Sequence, residues 1–238
     1  MNRGANLIVA VHQPQYLPWL GYFDKIRRAD VFCFLDNVQY KKNDWQNRNR
    51  IKTAQGWQWL TVPVQYRYPQ KINQVTINNS VNWKKKHLQT LVTNYNRATF
   101  FNEFKQSFEQ VYSENWDYLS DLNIALIERL NRAFGLEQRP TAKSSDFSLR
   151  EDPTDRLIDI CRALNCDTYL AGRDGTQYMD LARFKQSGIQ VIIQDFKHPD
   201  YPQLFQGFQS HMSAVDLLFN CGAKSLEIIE EFNPLNKR

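Results

Sequence analysis

The sequence predicts an α/β protein. A Rossmann-like, mainly parallel sheet is expected, with flanking helices, a small β-hairpin and a helical insertion. Three observations carry this reading: a strand–helix–strand opening with short connections, strand and helix alternating again towards the C-terminal end, and a mainly helical stretch between them.

The first strand is expected over Leu7–Val11, a continuous apolar run suited to burial on both faces. Residues 18–29 read as a helix, because Pro18 suits a first-turn position and Leu20, Phe23, Ile26 and Ala29 recur at helical spacing. Val31–Leu35 is the second buried strand. The polar, amide-rich and basic segment "DNVQYKKNDWQNRNRIKTAQG" that follows is expected to be a long loop holding a short helix. Residues 57–64 and 73–78 have strand character and suggest a hairpin. Helices are expected over 81–95, 100–112 and 116–134, the last with Leu119, Leu122, Leu126, Ile127 and Leu130 at spacings of three and four, stopped by Gly135. Beyond them come a helix at 153–164, a buried strand at 168–172, a short helix at 174–185, a strand at 189–196 and terminal helices at 212–219 and 223–232. One α/β domain over 1–238 is expected, with a mainly helical subdomain at about 81–136.

Composition limits the class. The 238 residues suffice for a sizeable core, and 42% hydrophobic with 23% charged residues is ordinary for a globular chain. The net charge of +5 suits a phosphate-bearing partner but is modest, and with no nucleic-acid motif it places DNA or RNA binding behind the other readings. The N-terminus has no signal-peptide pattern, and no run reaches the ~20 apolar residues of a membrane span. Cys33, Cys161, Cys166 and Cys221 form no C-x-x-C pair and have no histidine at ligand spacing, so reduced, buried thiols in a cytoplasmic protein are expected, without a metal site.

In an open α/β sheet, ligands sit beyond the carboxyl ends of the parallel strands. The first strand ends in His12-Gln13 with Gln15 and Tyr16 behind, the second in Asp36-Asn37 with Gln39, and "TYLAG" in Arg173-Asp174 between two glycines, with Tyr178 beyond. If these strands are neighbours, His12, Asp36, Arg173 and Asp174 converge. Around Trp45, Lys42, Asn43, Asn47 and Arg48 mix bases and amides in a way that suits a phosphate-bearing ligand. In "QDFKHPDYPQ", Asp195 stands three residues before His198, a spacing that suggests a carboxylate orienting a histidine, and Tyr201 sits between two prolines. Each corner has a plain rival: a satisfied turn, a helix cap or a rigid loop.

The blocks "VAVHQPQYLPWLGYFDKIRRADVFCFLDNVQYKKNDWQNRNRIK", "YLAGRDGTQYMD" and "QDFKHPDYPQ…SAVDLLFNCG", in that order, resemble the WbqC-like protein family over nearly the whole chain. The resemblance implies a bacterial role in surface-polysaccharide or specialised-metabolite biosynthesis, and it carries over no catalytic residue. The opening is also similar to that of nucleotidylyltransferase-like α/β enzymes, but Tyr16 stands near where their second histidine is expected, which puts nucleotidyl transfer in doubt.

Together these point first to an enzyme that transfers an acyl- or aminoacyl-type group to or from an activated substrate. That substrate is a small molecule or carrier-bound: a nucleotide sugar, or a phosphopantetheine-bearing thioester. His12 is the expected general base. Asp36 or Asp195 would orient a base or the substrate amine. Lys42, Arg48 and Arg173 would hold phosphate or carboxylate, and Tyr16 and Trp45 would wall the pocket. Magnesium-dependent nucleotidyl transfer and a non-catalytic ligand-binding or scaffold role are the alternatives.

Overall fold

Strand β1 (Ile8–His12) lies at the centre of a five-stranded sheet, and its position governs the rest of the fold. The computed structural model describes residues 6–177 and 179–235. Helix α1 (Leu20–Arg28) crosses from β1 to β2 (Val31–Phe34), which pairs with β1 in parallel. On β1's other side lies β8 (Thr168–Ala171), then β9 (Gln190–Ile193); beyond β2 lies β7 (Thr141–Lys143), every pairing parallel. Counting only these five strands along the chain, the order is 3-2-1-4-5, the doubly wound Rossmann-like arrangement, whose direction of winding switches between β1 and β8.

Alternation along the strands divides the core in two. Ala10, Phe32, Phe34 and Leu170 face one cluster with Leu20, Phe23 and Ile26 of α1 and the apolar residues of α4 (Leu119–Ala133) and α7 (Ala214–Cys221). Val9, Val11, Cys33, Tyr169 and Ala171 face a second cluster with α5 (Pro153–Ala163) and α6 (Leu181–Gln186). Helices α2 (Trp83–Tyr95) and α3 (Phe101–Ser113) extend the first cluster, and α8 (Ser225–Phe232) closes the chain beside α1. All four cysteines are free and buried. Among the described residues no helix is long and apolar enough to cross a membrane.

Three expectations need correction. The basic, amide-rich segment is not a loop with a short helix: Arg48–Thr53 is strand β3, paired antiparallel with β4 (Gly56–Thr61). Its inward residues Asn49 and Ile51 are buried, and arginines occupy its outward positions, which hid its strand character. The stretch at 57–64 therefore pairs back onto β3, and only β5 (Val64–Gln65) and β6 (Thr76–Ile77) join as the expected hairpin. Residues 174–185 are not one helix: a 3₁₀ turn spans Arg173–Gln177, and α6 starts only after Asp180, whose carboxylate accepts from the Ala182 and Arg183 N–H groups. The stretch "NWKKKHLQT" reads as a solvated helix face, but His87 does not belong to it. It is buried, its Nε2–H donates to the Thr61 carbonyl (3.1 Å), and its Nδ1 accepts from the Tyr16 hydroxyl (2.7 Å).

His87 gives the fold an acid-sensitive point. Burial lowers its pKa to about 4, against a partly compensating bond to the Thr61 carbonyl. The unfolded chain takes up a proton below about pH 6.5 while the folded chain does not until about pH 4, so stability is lost as pH falls through that window. This site alone contributes a slope of up to about 1.4 kcal/mol per pH unit. Denaturant titrations from pH 7 to pH 4 of the protein and of His87→Gln are expected to show a shallower decline in the variant; equal slopes would remove His87 from the account.

Candidate functional site

The carboxyl ends of β1 and β8 open into a cleft of about 780 Å³ at the switch point, where the diverging connections leave space. His12 and Gln13 come from β1, Val38, Gln39 and Lys41 from the segment after β2, and Arg173 and Asp174 from the turn after β8. Helix α1 supplies Gly21, Tyr22 and Lys25, α5 supplies Arg156, and Gln194, Phe196, His198 and His211 complete the wall. Gly21 is fixed by Trp19: an added Cβ would lie 2.4 Å from the indole that forms part of the cleft.

The charge in the cleft is one-sided. Lys25, Lys41, Arg156 and Arg173 line it against one carboxylate, Asp174. Lys25 is 4% exposed and has no ion-pair or hydrogen-bond partner among the described residues. Its ammonium lies beneath Gly172, 3.4 Å from where a Cβ would stand there. Burial lowers its pKa to about 8. Among the described residues Arg156 makes no ion pair, and its buried Nε has no hydrogen-bond partner. His12 is neutral: burial and the nearby Lys25 lower its pKa to about 3, opposed by the bond from its Nδ1–H to the Gln13 carbonyl (3.2 Å). That bond fixes the tautomer and leaves Nε2 as the acceptor. The ring packs on Tyr22 with centroids 4.8 Å apart, and the Tyr22 hydroxyl also donates to the Gln13 carbonyl (3.2 Å).

The residues singled out in the sequence fall into three groups. His12, Gln13, Gln39, Arg173, Asp174 and His198 share the cleft. Asn43, Trp45 and Arg48 line a smaller cavity on β3 and β4, and Lys42 is exposed and lines neither. The third group is buried away from the cleft. Asp36 accepts from the Ser144 hydroxyl (2.9 Å), the Ser145 N–H (2.9 Å) and the Ser145 hydroxyl (2.6 Å), so this corner clamps β2 to the turn after β7 and does not converge with His12. Tyr16 bonds His87 and Tyr112, Tyr201 accepts from Gln203 (3.2 Å), Asn47 donates to the Val62 carbonyl (3.0 Å), and Gln15 is buried; among the described residues Gln15 Oε1 and Asn47 Oδ1 have no partner. The expected Asp195–His198 pair does not form. Asp195 is exposed and 3.5 Å from Arg173, while His198 Nδ1–H donates to the Pro199 carbonyl (2.8 Å) and Nε2 accepts the His211 N–H (3.0 Å). Tyr178 lies outside the described residues.

Lys25, Arg156, Tyr22, Gln194 and His211 are the cleft residues that the sequence reading passed over. In "DKIRRAD" Lys25 reads as part of an ordinary charged helix end; only the burial of α1 on nearly every side turns it inward. Among the described residues no group of three or more His, Cys, Asp or Glu side chains could hold a metal ion.

The sequence profile of the WbqC-like protein family matches residues 13–228. The chain is also 40% identical over 221 residues, 91% of its length and 95% of the other, to a protein of Mycobacterium tuberculosis described as uncharacterized protein Rv1507c. No solved structure matches it.

The buried Lys25 ammonium has a measurable cost. A lysine whose pKa falls from 10.5 to about 8 on folding destabilises the native state at pH 7, and the penalty is relieved as pH rises through that interval. Lys25→Met is therefore expected to be more stable than the parent at pH 7, by about 1–3 kcal/mol, with the difference shrinking towards pH 10. Denaturant unfolding at the two pH values decides it: a variant less stable at pH 7 would mean that Lys25 has a partner.

Proposed function

The chain belongs to the WbqC-like protein family, and from that premise we propose that its cleft holds the phosphate-bearing part of an activated biosynthetic substrate and transfers an acyl- or aminoacyl-type group, with His12 as the base. The observation that carries this reading is Lys25. A buried charge with no counter-ion is costly, and the cost is recovered only when an anion fills the space beside it. Arg156 and Arg173 supply the forked donors that suit a phosphate or pyrophosphate. A nucleotide sugar and a phosphopantetheine thioester both carry such a group.

In the transfer, an amine or hydroxyl attacks the acyl carbonyl carbon. The new C–N or C–O bond forms, the bond to the carrier breaks, and the proton passes from the nucleophile to His12 Nε2 and on to the departing group. Tyr22 and the Gln13 carbonyl hold the imidazole in place. Arg173 and Asp195 are a solvent-exposed pair at the mouth, suited to meeting the substrate's charged periphery. The biosynthetic setting, surface polysaccharide or specialised metabolite, is the one the family resemblance implies.

Two measurements test the reading. Thermal unfolding with pyrophosphate, ADP, coenzyme A and UDP-N-acetylglucosamine is expected to show stabilisation by at least one of them, by about 2.7 kcal/mol at a hundredfold excess over Kd, and this gain is expected to vanish in Lys25→Met. No stabilisation by any, or equal stabilisation of the variant, refutes the anion site. With a turning-over substrate, His12→Ala is expected to lower kcat by ~10²–10⁴ while the fold persists; an unchanged kcat removes His12 as the base.

A further inference from the structure

Strands β3 and β4 carry a second cavity of about 350 Å³, and none of its lining residues is shared with the cleft. Pairing of β3 with β4 sets Arg50 opposite Trp59 and Ile51 opposite Gln58. Ile51 and Leu60 point into the core, so Arg48, Arg50, Trp57 and Trp59 stand on the outward face, joined by Trp45 from the turn before β3. The three indoles are 37%, 42% and 38% exposed (Trp45, Trp57 and Trp59), a large apolar outlay for one hairpin face.

The rings are held in place. The Arg48 guanidinium lies 4.3 Å from the Trp59 ring centre and that of Arg50 5.1 Å from Trp57. Arg48 also donates to the Asn43 carbonyl and Arg50 to the His211 carbonyl (3.2 Å). Trp45 and Trp59 have centroids 5.5 Å apart at 49°, and Trp57 and Trp59 5.5 Å apart at 84°. The rings are angled to one another around Arg50, whose guanidinium also lies 5.6 Å from the Trp45 and 6.0 Å from the Trp59 ring centre, so no slot opens between parallel rings. Asn43, Asp44, Arg48 and Arg50, each with a planar polar side-chain end, line the cavity beside Trp45 and Trp59. Asp44 makes no ion pair with either arginine among the described residues, and its one recorded bond is to the Trp45 N–H (2.7 Å).

The geometry points to a saccharide site here: a platform for a pyranose unit of an oligosaccharide, separate from the cleft and independent of the reading given to it. A pyranose presents a face of polarised C–H bonds, which suits the negative face of an indole. Its hydroxyls lie around the ring edge, where forked carboxamide, carboxylate and guanidinium groups reach two at a time. A single-stranded nucleic acid also uses aromatic and basic residues, but it threads a phosphate chain through a positive groove. Asp44 opposes that chain here, and it is an asset for hydroxyls.

The test is saturation-transfer NMR and tryptophan fluorescence with chitotriose, cellotriose, mannotriose and trigalacturonate, with decathymidylate as the competing class. The protein is compared with Trp45→Ala, Trp59→Ala, Asp44→Asn and Lys25→Met. At least one trimer is expected to bind saturably and to shift the indole emission. Either tryptophan substitution is expected to weaken it about tenfold or more, and Asp44→Asn several-fold. Lys25→Met is expected to leave it unchanged, so failure of the cleft reading and failure of this one are separable. Because Trp45 and Asp44 lie in a turn, Trp45→Ala and Asp44→Asn report even if Trp59→Ala does not fold. The proposal is overturned if no trimer binds saturably, if binding persists in both tryptophan variants, if Lys25→Met abolishes it, or if decathymidylate binds more tightly than every trimer. It is also overturned if sedimentation shows a dimer that the tryptophan variants dissociate and no trimer competes with.

Discussion

Helix α1 buries more charge than a nine-residue helix ordinarily carries inside a protein, and the way that charge is settled organises the molecule. Asp24 is wholly enclosed and holds Arg27 at 2.7 Å, Arg28 at 2.8 Å and the Gln194 amide at 2.8 Å. Both arginines reach the Asn233 carbonyl at the chain's far end, and Arg27 meets Glu230 on α8. One carboxylate thus ties the first crossover helix to the last strand of the sheet and to the C-terminal helix. Removing it would leave two guanidinium groups in low dielectric, a loss larger than the net worth of the pairs. Lys25, one residue along, has no share in this arrangement. The network that locks α1 in place is what aims the buried Lys25 ammonium at the cleft.

The same contrast separates the polar corners that hold the fold from the one left open. Asp36 and Asp216 are as buried as Lys25, yet each is surrounded by donors: two serines for Asp36, and the Tyr95 hydroxyl (2.7 Å) and Gln203 amide (2.8 Å) for Asp216. Burial raises the Asp216 pKa, and the hydrogen bonds from Tyr95 and Gln203 oppose the rise. Satisfied buried groups of this kind specify packing. His12, Lys25 and Arg156 face one space, and among the described residues neither Lys25 nor Arg156 has an ion-pair partner there.

Much of this was legible in the sequence because periodicity reports burial. The runs at Leu7–Val11 and Val31–Leu35 and the stripe Leu20, Phe23, Ile26 marked the β1–α1–β2 unit, and the polar residues after each strand marked the sheet's carboxyl edge. Strand β3 escaped because its outward positions are arginines stacked on tryptophans, and β7 because three residues leave no pattern. The convergence of His12 with Arg173 and Asp174 depended on strand order, which no local pattern encodes; the divergence of Asp36 depended on Ser144 and Ser145, more than a hundred residues away. Lys25 and Arg156 were illegible for the same reason: a charge on a helix reads as solvated until the neighbours that exclude water are known.

The cleft's electrostatics also bind its two central groups to each other. Lys25 is among the causes that hold His12 in its neutral form, so anything that neutralises the ammonium relaxes that hold. An anion beside Lys25 favours the charged lysine and lowers the positive potential at the imidazole; both shifts are upward. In the proposed complex the anion would remove the Lys25 contribution to the lowered His12 pKa, while burial, the larger cause, remains. An anion held at Lys25 would in this way act on the basicity of a neighbouring atom without moving either side chain, because among the described residues no carboxylate pairs with Lys25.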